Sequence, residues 1–224
     1  TGAGSSSTTL YTPASPRSTA ATVASAGMAA WMDGHIPAAL PTIDLLSKAG
    51  AKIVLLAHFD RPKGKRVPEM SLKPLVEPLA KLVKKPVAWA DDCIGAPAKA
   101  AIDTLKPGDV ALLENLRYHA GEEKNDPAFA AELAKLGDIY VNDAFSAAHR
   151  AHASTEGIAR LLPAYPGLSM ERELTALDAA LVREQDSTIR LRRITGRRTA
   201  IDALLSLTLQ ADHMFDDADM RAGR

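Results

Sequence analysis

D-I-Y-V-N-D-A-F-S-A-A-H-R-A-H-A-S, residues 138–154, changes character half-way along. Ile139, Tyr140 and Val141 favour β structure, and Gly137 just ahead of them punctuates the start of a strand. Polar Asn142 and Asp143 end the run, and His149, Arg150 and His152 follow closely. A buried strand ending in arginine and imidazole suits an anionic ligand, because open α/β sheets bind ligands at the carboxyl ends of their strands.

The same design recurs upstream. Lys52–Ala57 and Val110–Leu113 are short continuous apolar runs, which read as strands buried on both faces. The first is followed by the loop His58–Lys65, the second by Glu114–His119. Pro86–Trp89 is a weaker strand ending in Asp91 and Asp92. Between the strands the apolar residues fall at helical spacing. Leu40, Ile43 and Leu46 line a helix beginning near Ile36, with Gly50 as its cap. Ser71 reads as the N-cap of a helix presenting Leu72, Leu75, Val76, Leu79 and Val83, bent by Pro78. A helix over Ala96–Leu105 stops at the turn Lys106–Asp109. Asp126 caps another, with Pro127 first and Phe129, Ala130, Leu133 and Leu136 as the buried stripe. A last helix starts at Met170 and buries Leu174, Leu177 and Leu181. This alternation predicts βαβ units and an α/β fold, a three-layer α/β/α sandwich on a parallel sheet.

The bulk composition narrows the partners. Of 224 residues 46% are apolar but only 4% aromatic, so the core is built mostly from Ala, Leu, Val and Ile. The 27 basic and 27 acidic residues cancel, which points away from nucleic acid or an anionic membrane. The single cysteine, Cys93, excludes an internal disulfide framework, fits a reducing, cytoplasmic setting, and reads as a small core residue. No run of eighteen apolar residues is present. Residues 1–34 carry little charge before Asp33 beyond Arg17 and are expected to form an irregular leader, with an organelle transit peptide as a minor alternative. Residues 35–181 form the expected α/β domain. Residues 182–224 hold eight arginines and no lysine, and are expected to be an irregular tail with at most one helix, near Ile201–Leu207.

Three strands thus lead to three basic ends: His58 and Arg61, then Arg117 and His119, then His149, Arg150 and His152. On a parallel sheet these lie along one edge, where they make a focused anion site in an otherwise neutral chain. Arginine suits the role because its planar fork meets phosphate or carboxylate oxygens two at a time. Singly, each arginine reads as a surface salt bridge; the shared edge is what distinguishes them. His149 and His152 lack matching Cys or carboxylate spacing, so no metal site is read there. His119 reads as exposed, Asp91 and Asp92 as a solvated loop or cap, and Asn142 and Asp143 as residues that orient the loop through backbone hydrogen bonds. Neither a G-x-x-x-x-G-K-[ST] loop nor a G-x-G-x-x-G turn after a strand is present.

These stretches carry a resemblance. L-L-A-H-F-D-R-P-K-G (55–64), L-L-E-N-L-R-Y-H (112–119), Y-V-N-D-A-F-S-A-A-H-R-A-H-A-S (140–154) and A-A-L-P-T-I (38–43) resemble the N-terminal domain of phosphoglycerate kinases over residues 35–181. The resemblance implies phosphoryl transfer between 1,3-bisphosphoglycerate and ADP, giving 3-phosphoglycerate and ATP, in a glycolytic enzyme that is usually monomeric. It implies that His58, Phe59, Asp60, Arg61, Arg117, Arg150 and His35 occupy substrate-binding positions, with His149 and His152 in the same basic patch. In the family Mg-ADP or Mg-ATP sits on a C-terminal domain, and no such site is recognised in this chain.

The chain also departs from the family pattern. The R-V-D-x-N-V-P segment of the family's first strand has no counterpart in residues 1–34. His35 stands where the family has arginine, and a largely neutral imidazole cannot make a two-pronged contact. Asp60 stands where the family has glycine, which adds a negative charge beside an anionic ligand. At ~8 Å and an effective dielectric of ~20 that repulsion is about 2 kcal/mol, roughly thirtyfold in affinity. The family's G-G-A-K-V segment is replaced by the arginine-rich tail. The expectation is an incomplete form with little or no activity alone, its two ends altered by reading-frame disruption. The alternatives are a non-catalytic anion-binding half-protein or an unstable fragment.

Overall fold

In the computed structural model, which describes residues 19–25 and 36–184, six parallel strands form one sheet. They are β1 (Thr19–Ser25), β2 (Lys52–His58), β3 (Val87–Ala90), β4 (Val110–Leu113), β5 (Ile139–Asn142) and β6 (Ala164–Pro166), ordered β3-β4-β2-β1-β5-β6. The α-helices are α1 (Ile36–Lys48), α2 (Val76–Val83), α3 (Gly95–Asp103), α4 (Pro127–Ala134), α5 (Ile158–Leu161) and α6 (Leu168–Glu184). The α/β class and the parallel sheet are as the alternation predicts.

The period-two alternation of the strands sorts their side chains into two cores. Val54 and Leu56 of β2 join Leu113, Tyr140, Phe129, Leu133 and Ile158 under α3, α4 and α5. Ile53, Leu55 and Ala57 turn the other way and join Ile43, Leu46, Leu75, Leu79, Leu112 and Val141 under α1 and α2. Each fully buried aliphatic side chain of this kind stabilises the fold by about 1.5–3 kcal/mol relative to exposure.

Three sequence expectations are corrected. Thr19–Ser25, assigned to an irregular leader, is a strand in the middle of the sheet. It pairs with β2 from Thr19↔Lys52 to Ser25↔His58 and with β5 from Ala20↔Ile139 to Val23↔Asn142. The low charge and high Ser/Thr content that suggested disorder equally describe a short strand with β-branched Thr19, Thr22 and Val23. Second, the helix expected from Ser71 is broken into 3-10 turns at Pro68–Met70 and Lys73–Leu75 before α2 begins at Val76. Pro78 therefore falls in the first turn, where its missing N–H leaves no intrahelical bond unmade. Third, α6 starts at Leu168, two residues before the expected Met170. Its N-terminus is held from outside: Leu168 N–H donates to Thr42 Oγ1 (2.9 Å), and Ser169 and Met170 N–H donate to Asp143 Oδ1 (2.8 and 3.1 Å). Gly167 is required beside this cap, since a Cβ there would lie 2.4 Å from Asp143. The short edge strand β6 went unread, because three exposed residues ending in proline carry no strand pattern. The helix expected near 201–207 lies outside the described residues.

Candidate anion-binding site

The site is built at the carboxyl ends of β2, β4 and β5. Beyond β4, Glu114 and Asn115 are buried, and each spends its polar atoms on the backbone of another loop. Glu114 Oε1 accepts from Leu72 N–H (2.9 Å) and Asn115 N–H (2.7 Å), and Oε2 accepts from Ser71 Oγ (2.6 Å). Asn115 Oδ1 accepts from Phe59 N–H (3.2 Å) and Arg117 N–H (3.1 Å), while Nδ2 donates to Phe59 O (2.7 Å) and Met70 O (2.9 Å). One side-chain amide thus fixes the loop after β2 to the turn after β4. Neither residue was singled out from sequence. The available signal was two polar residues directly after an apolar strand, which is ordinary loop chemistry until their burial is known.

That turn, the 3-10 segment Leu116–Tyr118, carries Arg117. Its residue is only 5% exposed, although it was expected on the rim. Nη1 donates to Asp60 O (2.7 Å), and Nε lies 3.4 Å from Glu123 Oε1. Nη2 has no hydrogen-bond partner among the described residues. Burial lowers the Arg117 pKa; Glu123 and Glu122 oppose that shift, and Arg150 and Arg61 add to it. Arg61, Arg117 and Arg150 follow β2, β4 and β5 respectively, beyond the carboxyl ends of those strands. Arg61 and Arg150 are exposed, and Arg150 Nε donates to His149 Nε2 (3.2 Å).

The loop after β5 completes the group. His152 is buried, with its ring centroid 6.4 Å from that of buried His58. Burial lowers the His152 pKa first, and Arg117 and Arg150 reinforce this. Both effects favour the neutral imidazole, so His152 brings hydrogen-bonding capacity more than charge to the patch. Asn142 Oδ1 accepts from Ala144 N–H (3.0 Å), the loop-orienting role expected of it; Asp143 instead caps α6. Phe59 is half-buried and held by Asn115, and Asp60 is exposed. His35 lies outside the described residues.

Behind the loop sits Glu122, fully buried and absent from the sequence candidates. Its carboxylate accepts from Ser154 Oγ (2.5 Å) and Ser154 N–H (3.1 Å) and lies 3.7 Å from His152 Nδ1. Burial pushes its pKa up to about 7, against the Ser154 hydrogen bonds and Arg117, which pull it down. A raised carboxyl pKa contributes stability that is full below the unfolded value and is lost as pH rises through the folded one. From 4.5 to about 7 the contribution is on the order of 3 kcal/mol. Urea unfolding of wild type and Glu122→Gln is expected to show the variant gaining relative stability between pH 4.5 and 7.5; a pH-independent difference would refute it.

A parallel α/β domain with arginines beyond the carboxyl ends of its strands has the architecture in which such sheets place ligand sites. Comparison with known proteins specifies the family. The phosphoglycerate kinase family model matches residues 27–215, beginning before and ending after the stretch recognised by motif. The chain is 59% identical to a phosphoglycerate kinase of Caulobacter sp. strain K31 over 182 residues, 81% of this chain and 46% of that protein. It is 62% identical to the Brucella suis biovar 1 enzyme over 142 residues, 63% of this chain and 36% of that one. The crystal structure of phosphoglycerate kinase from Pyrococcus horikoshii OT3 superposes with a TM-score of 0.65 at 33% identity, covering 73% of this chain and 43% of that one. The chain belongs to the phosphoglycerate kinase family, and it spans less than half the length of the curated relatives it matches. No helix among the described residues is long and apolar enough to cross a membrane.

Proposed function

We propose that the edge formed by β2, β4 and β5 holds the phosphoglycerate substrate of the family reaction, phosphoryl transfer between 1,3-bisphosphoglycerate and ADP. The observation that carries this reading is Arg117: a buried guanidinium on the turn after β4 whose Nη2 has no protein partner among the described residues. Arg117, Arg61 and Arg150 supply the charge that meets phosphate and carboxylate oxygens, and His58 and His152 supply hydrogen-bonding imidazoles beside them. The family chemistry calls for alignment and charge neutralisation rather than a covalent nucleophile. These residues serve the phosphoglycerate side of that transfer, the donor when ATP forms. Mg-ADP, the family's co-substrate, would be held by residues other than those that form this edge. The binding unit runs from β1 to α6, wider than the 35–181 expected from motifs. The reading describes a cytoplasmic, monomeric protein that takes a small acid and no nucleic acid.

The test is titration of the 224-residue polypeptide with 3-phosphoglycerate, followed by NMR, beside an assay for ATP formation from 1,3-bisphosphoglycerate and ADP. Saturable shifts are expected at His58, Arg117 and Arg150, without ATP formation by this polypeptide alone. Shifts confined to residues away from these strand ends would overturn the assignment, and measurable turnover would overturn the dependence on a separate nucleotide-binding unit.

Asp60 gives a graded version of the same test. It adopts φ 55, a left-handed conformation that costs a non-glycine residue roughly 1 kcal/mol. Its carboxylate accepts from Arg61 N–H (2.8 Å) and is exposed, so solvent screens much of its repulsion of an anion. Asp60→Gly is expected to stabilise the fold by roughly 1 kcal/mol and to tighten 3-phosphoglycerate binding several-fold, short of the unscreened thirtyfold. Weaker binding by calorimetry would show that the Asp60 carboxylate organises the loop.

A further inference from the structure

Asp92 and Cys93 lie in the connection from β3 to α3, and His119 ends the turn after β4. Because β3 and β4 are adjacent and parallel, their carboxyl-end loops meet. One ligand atom from each of the three side chains lies within 4.8 Å of the others. His119 Nε2 is 2.6 Å from Asp92 Oδ1, and the same oxygen accepts from Cys93 N–H (2.7 Å). Phe129 stacks on the imidazole, with centroids 5.1 Å apart and planes 25° apart, and so fixes the ring. Cys93 is fully buried, whereas the Asp92 and His119 side chains are 32% and 29% exposed, which leaves a way in from solvent. The sequence reading had Asp92 in a solvated loop or cap, Cys93 as a core residue, and His119 at the basic end of its strand and exposed.

We propose that Asp92, Cys93 and His119 form a binding site for Zn2+. The donor set is one thiolate, one imidazole and one carboxylate. That mixture suits zinc, and three protein ligands leave the fourth tetrahedral position to water. Mg2+ and Ca2+ select oxygen-only sets instead. Bonds of ~2.0–2.3 Å set ligand–ligand separations of roughly 3.3–3.6 Å, so the cluster closes by about 1 Å while the Asp92–His119 hydrogen bond opens around the ion. Charge balances: the thiolate and carboxylate neutralise the dication, and the neutral imidazole binds through Nε2 with its proton on Nδ1. The thiol proton of Cys93 leaves to solvent as the Zn–S bond forms.

The chain contains one cysteine, so any thiolate-to-metal signal reports Cys93 alone. Titrating the reduced 224-residue chain with Co2+ is expected to give an ultraviolet thiolate-to-cobalt charge-transfer band and visible d–d bands of tetrahedral intensity, both abolished by one equivalent of Zn2+. Cys93→Ala is expected to remove the charge-transfer band. His119→Gln and Asp92→Asn, at partly exposed positions that leave the core intact, are expected to weaken Co2+ binding tenfold or more. Absence of the charge-transfer band in the wild-type chain, or unchanged affinity in both His119→Gln and Asp92→Asn, would overturn the proposal. Circular dichroism of each variant separates lost binding from lost fold.

Discussion

Arg117→Ala is expected to weaken 3-phosphoglycerate binding a hundredfold or more, the largest effect of any single change at the edge. Truncating a buried, hydrogen-bonded charge at a binding surface costs about 2–5 kcal/mol, and each ~1.4 kcal/mol is tenfold. Arg117 fits that case, being nearly inaccessible and linked to Asp60 O. Arg61 and Arg150 are solvated, and their removal is expected to cost only several-fold. Arg117→Lys tests the cause. It keeps the charge but lacks the rigid fork, so it should recover part of the affinity. Isothermal titration on folded variants decides the matter: an Arg117→Ala affinity within threefold of wild type would remove Arg117 from the site.

The second large effect is on stability. Asn115→Ala deletes the four hydrogen bonds that the amide makes to Phe59 N–H and O, Met70 O and Arg117 N–H. Each bond contributes about 1 kcal/mol net, and buried partners left unsatisfied cost more. The expected loss is about 3–5 kcal/mol, or roughly 10 °C in Tm for a domain of this size. Denaturant unfolding that shows a loss below about 1 kcal/mol would mean that the loops are tied by other contacts. The variant should also bind 3-phosphoglycerate more weakly even where it remains folded, because the amide fixes the backbone that presents Arg117.

How much of this was legible in the chain depended on the kind of physics involved. Burial of the strands was readable from continuous apolar runs such as Ile53–Ala57, because both faces of β2 meet a core. That Arg61, Arg117 and Arg150 follow the carboxyl ends of β2, β4 and β5 was readable too, because a parallel sheet puts equivalent strand ends on one edge. Strand β1 was not legible, because Ser/Thr-rich, uncharged sequence describes both a solvated leader and a strand whose place is set by two partners remote in sequence. Burial of Arg117, the coupling of Glu122 to Ser154 and the capping of α6 by Asp143 were also hidden. Each depends on a contact across 26 or more residues, or on a degree of burial that local pattern does not encode.

The central position of β1 carries a consequence for the integrity of the whole sheet. Thr19–Ser25 is the sole bridge within the sheet between the β3-β4-β2 half and the β5-β6 half. Proteolytic removal of these residues would not trim a margin but cleave the sheet down its midline. Two rows of main-chain donors and acceptors, on β2 and β5, would then be bared to neighbouring molecules, the circumstance in which strands join end-on-end into aggregates. The integrity of the arginine-bearing edge therefore rests on a seven-residue strand that contributes no arginine or histidine to it.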